Sequence, residues 1–195
     1  MRKNLTELVI ILDKSGSMSG LENDVVGGFN SLIKEQKKAE GQVLVTVVMF
    51  DTHYDVIYKR TPLSKIINLT INDYVPSGCT ALLDTVGNAI AYIQREHTKL
   101  DEGNVPEHTI FSIMTDGLEN SSKEYSYKQI KNMIENKKKD GWEFIFQAAN
   151  IDAHEEGDRL GISKEDIVEF CASREGVGKC FKQMSCFIEK KRTHE

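Results

Sequence analysis

The chain has 195 residues, a net charge of −5, and 28% charged and 39% hydrophobic side chains, so it is long enough to bury a core without disulfides and too apolar to be disordered. Its acidic balance excludes the general attraction to nucleic acid or an anionic membrane that a basic protein has. Its apolar runs fall short of the roughly 18 residues of a membrane span, and the first of them ends in Asp13 without a small-residue cleavage site, which predicts a cytoplasmic protein.

Leu8 to Leu12 are five consecutive aliphatic residues, the pattern of a strand buried on both faces in a parallel sheet. Leu21, Val25, Val26, Phe29, Leu32 and Ile33 then recur at helical spacing until Lys37-Lys38 and Gly41. Ser19 and Glu22 form an S-x-x-E capping pattern at the start of that helix. Val43 to Phe50 reads as a second strand and Tyr54 to Tyr58 as a third; the short link Asp51-Thr52-His53 requires an antiparallel hairpin at the sheet edge. Residues 60 to 79 carry two of the three prolines and read as a connecting loop with one helical turn. Thr80 opens a helix with Leu82, Val86, Ala89, Ile90 and Ile93 on one face, and Thr109 to Met114 is a further buried strand. A capping pattern at Ser121 to Glu124 precedes a helix with Tyr127, Ile130, Met133 and Ile134, closed by Gly141. Phe144 to Ala148 and Ile167 to Phe170 are strands with a helix between them, and Val177, Cys180, Phe181, Met184 and Ile188 mark a terminal helix. This alternation predicts a doubly wound α/β domain, mostly parallel with one antiparallel edge strand, filling residues 1 to 195.

The cysteines, Cys79, Cys171, Cys180 and Cys186, form no C-x-x-C pair and read as reduced, mostly buried thiols. The histidines are scattered without metal-site spacing, and the basic clusters Lys37-Lys38, Lys137 to Lys139 and Lys190 to Arg192 sit where they favour helix dipoles.

Chemistry concentrates where strands end in carboxylates. Asp13, Ser15 and Ser17 follow the first strand as alternating hard oxygen donors, which suit Mg²⁺, Mn²⁺ or Ca²⁺ better than zinc. A nucleophile elbow would need Ser where Met18 stands between Gly16 and Gly20. An EF-hand loop would need Gly at Met18 and Glu at Asp24. A polar turn that only caps a helix is the plainer alternative. Asp116, in Thr115-Asp116-Gly117, is a second strand-ending carboxylate. Asn120, Asn150 and Asp152 border the same end and read as loop caps, and Asp51 as a turn residue.

Asp13-Lys14-Ser15-Gly16-Ser17, Ser77-Gly78-Cys79-Thr80-Ala81 and Thr115-Asp116-Gly117, in that order, together resemble the von Willebrand factor A (vWA) domain over nearly the whole chain. The resemblance implies a Rossmann-like three-layer sandwich with a metal-ion-dependent adhesion site (MIDAS). In that site Ser15 and Ser17 would bind a divalent ion directly, Thr80 directly or through water, and Asp13 and Asp116 largely through bridging water. The cofactor implied is Mg²⁺ or Mn²⁺, with Ca²⁺ the weaker candidate. The activity implied is non-enzymatic: capture of an Asp or Glu side chain of a partner protein. A metal-assisted phosphohydrolase with Asp13 as nucleophile is the enzymatic alternative, although Ser15 stands where a second Asp would be wanted. A structural subunit with a vestigial site is the third. Lacking paired cysteines, the chain resembles the standalone intracellular vWA proteins of bacteria and phages more than extracellular adhesive relatives.

Overall fold

The computed structural model describes residues 1–193. Six strands form one sheet: β1 (Arg2–Asp13), β2 (Gln42–Phe50), β3 (Tyr54–Pro62), β4 (Pro106–Thr115), β5 (Trp142–Ala148) and β6 (Ile167–Glu169), in the order β3-β2-β1-β4-β5-β6. All neighbours are parallel except the β2–β3 hairpin at one edge. The five helices are α1 (Glu22–Gln36), α2 (Leu82–Thr98), α3 (Tyr127–Lys139), α4 (Ala153–Leu160) and α5 (Arg174–Thr193).

β1 shows why both faces are covered. Its side chains alternate, sending Leu8, Ile10 and Leu12 into a core with α1 and α5, and Val9 and Ile11 into a second core with α2, α3 and α4. The result is the three-layer α/β sandwich with one antiparallel edge strand that the alternation predicts. Two buried polar residues, Thr6 and Glu7, interrupt this strand between Leu5 and Leu8; Glu7 is fully buried and accepts from Arg60 Nε at 2.8 Å.

The chain moves outward from β1 to β2 and β3, then crosses back to β4 and moves the other way. Strand order therefore reverses between β1 and β4, and the carboxyl ends of these two strands flank the crevice where such sheets bind ligands. Asp13 closes one and Thr115-Asp116 follows from the other.

Several local expectations need correction. Ser19 does not cap α1: the cap position is Leu21, and Glu22 instead reaches back to accept from Gly20 N–H at 2.9 Å. The cap of α3 is Ser126, in a capping box with Gln129, and not Ser121 or Ser122. The hairpin strand runs on to Pro62, and the connection beyond it holds two 3₁₀ turns, Leu63–Lys65 and Ile71–Asp73. The helix between β5 and β6 is placed at Ala153–Leu160. All four cysteines are free, but only Cys180 is buried; Cys79, Cys171 and Cys186 are exposed. No helix among the described residues is long and apolar enough to cross a membrane.

Candidate metal centre

Three loops meet at the reversal of strand order. The first leaves β1 at Asp13 and makes a 3₁₀ turn over Gly16–Met18. The second, Ser77 to Ala81, leads into α2, and the third runs from Asp116 to the start of α3. The first two are joined through their backbones, Ser77 N–H to Lys14 O at 2.8 Å and Gly16 N–H to Gly78 O at 3.2 Å. The second and third are joined reciprocally: Thr80 N–H donates to Asn120 Oδ1 at 2.8 Å, and Asn120 N–H to Thr80 O at 3.0 Å.

These joints gather the five residues singled out above. The Ser15 and Ser17 hydroxyl oxygens lie 3.1 Å apart, and Ser17 Oγ donates to Asp116 Oδ1 at 2.5 Å. Gly117 belongs at the centre: a Cβ there would lie 3.3 Å from Thr80 Oγ1 and 3.6 Å from Ser17 Oγ, crowding the space these hydroxyls share. Asp13 lies beneath, accepting from Ser15 N–H at 2.6 Å and from Thr115 Oγ1 at 2.5 Å. Tyr74, fully buried, donates its hydroxyl to the Asp13 carbonyl. Asp13, Ser15, Thr80 and Asp116 are buried, whereas Ser17 is exposed, so the cluster opens to solvent on the Ser17 side.

The electrostatics favour a cation. Burial pushes the Asp13 carboxyl up; hydrogen bonds from Thr115 and Ser15 counter this, and the Asp116 charge adds to it. Burial likewise pushes Asp116 up, against the hydrogen bond from Ser17. Burial raises the Tyr74 phenol as well, reinforced by Asp13, Asp116 and Glu22. Asp116 Oδ2 is a buried carboxylate oxygen with no hydrogen-bond partner, a costly state for a charged group.

These residues fit a small divalent ion. Two oxygens on adjacent vertices of an octahedron with metal–oxygen bonds of about 2.1 Å lie about 3 Å apart, and the two serine hydroxyls are 3.1 Å apart. The donors are hydroxyls and carboxylates, the chemistry of Mg²⁺ or Mn²⁺. No group of three or more His, Cys, Asp or Glu side chains able to hold a metal occurs among the described residues; this centre draws its donors largely from hydroxyls.

Of the bordering residues, Asp152 caps α4 by accepting from Glu155 N–H at 2.8 Å, and Asn150 occupies a left-handed turn with φ of 57°. Asn120 does more than cap, since it holds Thr80 at both backbone groups. Asp51 serves its turn through His53 N–H at 2.8 Å but also binds Lys14 and Ser77. Sequence reasoning missed Thr115, Tyr74 and Glu119. Glu119 accepts from Leu83, Ser121 and Ser122 N–H and so ties the third loop to the start of α2.

No protein-family model and no curated protein matches the chain. Solved structures do. Proximal thread matrix protein 1 from the mussel byssus, in a structure whose MIDAS motif is occupied by zinc, is 16% identical with a TM-score of 0.67, and the match covers 97% of this chain and 47% of that one. This chain thus spans about half the length of that protein. The vWF domain of the type V pili tip protein Mfa5 from Porphyromonas gingivalis is 11% identical, with a TM-score of 0.64 and 94% of each chain covered. The SpRpn10 VWA domain is 12% identical, with a TM-score of 0.60, 92% of this chain and 95% of that one covered. These likenesses show that the fold is vWA-like.

Proposed function

We propose that this chain is a protein-binding module that holds a divalent ion, Mg²⁺ or Mn²⁺, at Asp13, Ser15, Ser17, Thr80 and Asp116 and uses it to capture an acidic side chain of a partner. The observation that carries this reading is the buried, unpartnered Oδ2 of Asp116, set in a cluster with the Ser15, Ser17 and Thr80 hydroxyls and the Asp13 carboxylate. Two carboxylates balance a divalent charge, and a hard cation takes about six oxygens. With Asp13 and Asp116 acting largely through bridging water and no third carboxylate from the protein, a coordination position left open toward Ser17, the exposed side, would retain attraction for an incoming carboxylate. The zinc-occupied MIDAS motif of the byssus protein supports a divalent ion at this place in the fold.

The non-enzymatic part of the reading draws support from Asp13. Its carboxylate is 1% exposed with both oxygens engaged, a poor posture for an attacking nucleophile. The intracellular, bacterial or phage assignment rests on the sequence resemblance and on three exposed, unpaired cysteines, which suit a reducing compartment.

The test is a Mn²⁺ titration followed by water-proton relaxation, on wild type and on Ser15→Ala/Ser17→Ala. Saturable binding in wild type only is the expected result; binding that survives the double substitution places the ion elsewhere. A partner retained in Mn²⁺ is then expected to be released by chelator and by Asp13→Ala, and persistence through both refutes capture at the ion.

A further inference from the structure

Asp51 and Thr52 stand outside the ligand set, in the turn between β2 and β3, yet they grip the Thr80 loop at three points. Asp51 O accepts from Ala81 N–H at 2.9 Å, directly after Thr80. Asp51 Oδ2 accepts from Ser77 Oγ at 3.0 Å, and Thr52 Oγ1 accepts from Cys79 N–H at 2.9 Å, directly before Thr80. The same Oδ2 binds Lys14 Nζ at 2.7 Å, and Lys14 lies between Asp13 and Ser15. One carboxylate oxygen therefore touches both loops that carry the serine and threonine hydroxyls. Gly78 makes the fit possible: its φ is +66°, and a Cβ there would lie 2.6 Å from Thr52 Oγ1. Lys14 is itself a cation one residue from two ligands. Asp51, with Asp55 at 3.4 Å, holds that charge in an ion pair instead of leaving it to oppose a metal.

We infer that Asp51 and Thr52 are positioning residues of the metal centre, fixing the Thr80 hydroxyl against those of Ser15 and Ser17 without themselves binding the ion. The inference rests on the metal-binding reading above. Partners that orient the ligands of a metal typically govern its affinity by about 10- to 100-fold when removed.

Thr52 gives the cleaner test, because it is exposed and Thr52→Val removes the acceptor while keeping the shape. Mn²⁺ dissociation constants are measured for wild type, Thr52→Val, Thr52→Ser and Asp51→Asn, with amide hydrogen exchange of residues 77–81 in the metal-free proteins. Thr52→Val and Asp51→Asn are expected to weaken Mn²⁺ binding about 10- to 100-fold and to speed exchange across 77–81, while Thr52→Ser retains wild-type affinity. A purely structural role would lower the melting temperature and leave the dissociation constant of the folded protein unchanged; that result overturns the inference and leaves the metal site standing. A folded wild type that does not bind Mn²⁺ overturns the metal reading, and this inference with it.

Discussion

Asp116 is 2% exposed, with one oxygen bonded to Ser17 Oγ and the other unpartnered. A buried charge in that condition costs stability unless something pairs with it. Asp116→Asn keeps the shape and removes the charge, so the metal-free protein should melt at or above the wild-type temperature while Mn²⁺ affinity falls by about 10- to 100-fold, as for a carboxylate acting through bridging water. A melting temperature that falls while Mn²⁺ affinity holds would mark Asp116 as a turn residue only. The candidate ligands were legible because each carries its chemistry in its own side chain, and each follows a strand or precedes a helix with a clear hydrophobic signal. Tyr74 and Thr115 were not, since their roles depend on which atoms of Asp13 they meet: Thr115 is brought there by the pairing of β1 with β4, 102 residues apart, and Tyr74 by the connection after β3, 61 residues away. The exposed cysteines show the limit of a composition rule: free cysteine is usually buried, but here three of four lie on loops or outer helix faces where no core needs them.

At the scale of elements, α1 and α5 cross at Gly28. A Cβ added there would lie 2.2 Å from Phe181 Cδ2, whereas one added at the adjacent Gly27 would meet nothing within 4 Å. The two glycines therefore predict opposite effects. Gly28→Ala should cost about 1–3 kcal/mol through overpacking, and Gly27→Ala should gain up to about 1 kcal/mol from helix propensity. Thermal or urea unfolding of both variants checks this, and matching signs would refute the close crossing. At α3, Ser126→Ala should cost about 1 kcal/mol by removing the capping box, while Ser121→Ala should leave α3 capped. Sequence patterns could not choose between these serines, because the start of α3 is decided by tertiary ties: Asp84 on α2 accepts from Lys123, Glu124 and Tyr125 N–H and keeps that stretch out of the helix. α4 was hard to place for a different reason. Its buried positions include Ala153 and Gly157, and Gly157 lies where a Cβ would be 2.5 Å from an Ile167 side-chain carbon. A helix packed through small residues has little hydrophobic signal to read.

Across the whole molecule, the alternation of strands and helices identified the α/β class, because the apolar runs of β1, β2 and β4 and the helical stripes are strong signals. Strand order is a different kind of fact, since it depends on which edges meet. The order observed brings the carboxyl ends of β1 and β4 side by side, and the hairpin turn beyond β2 braces the second loop against the first. A centre assembled from loops that are distant in the chain exists only in the folded state, so an ion bound there stabilises that state by mass action. At a free Mn²⁺ concentration about a hundred times the dissociation constant, the gain is about 2.7 kcal/mol, which in a protein of this size raises the melting temperature by about 5–10 °C. Ser15→Ala/Ser17→Ala should melt at one temperature with or without Mn²⁺. Calorimetry across a Mn²⁺ series checks both expectations. An equal rise in wild type and double variant would show that the ion stabilises the protein elsewhere, whereas a rise confined to wild type and growing with the logarithm of Mn²⁺ ties it to the three-loop centre.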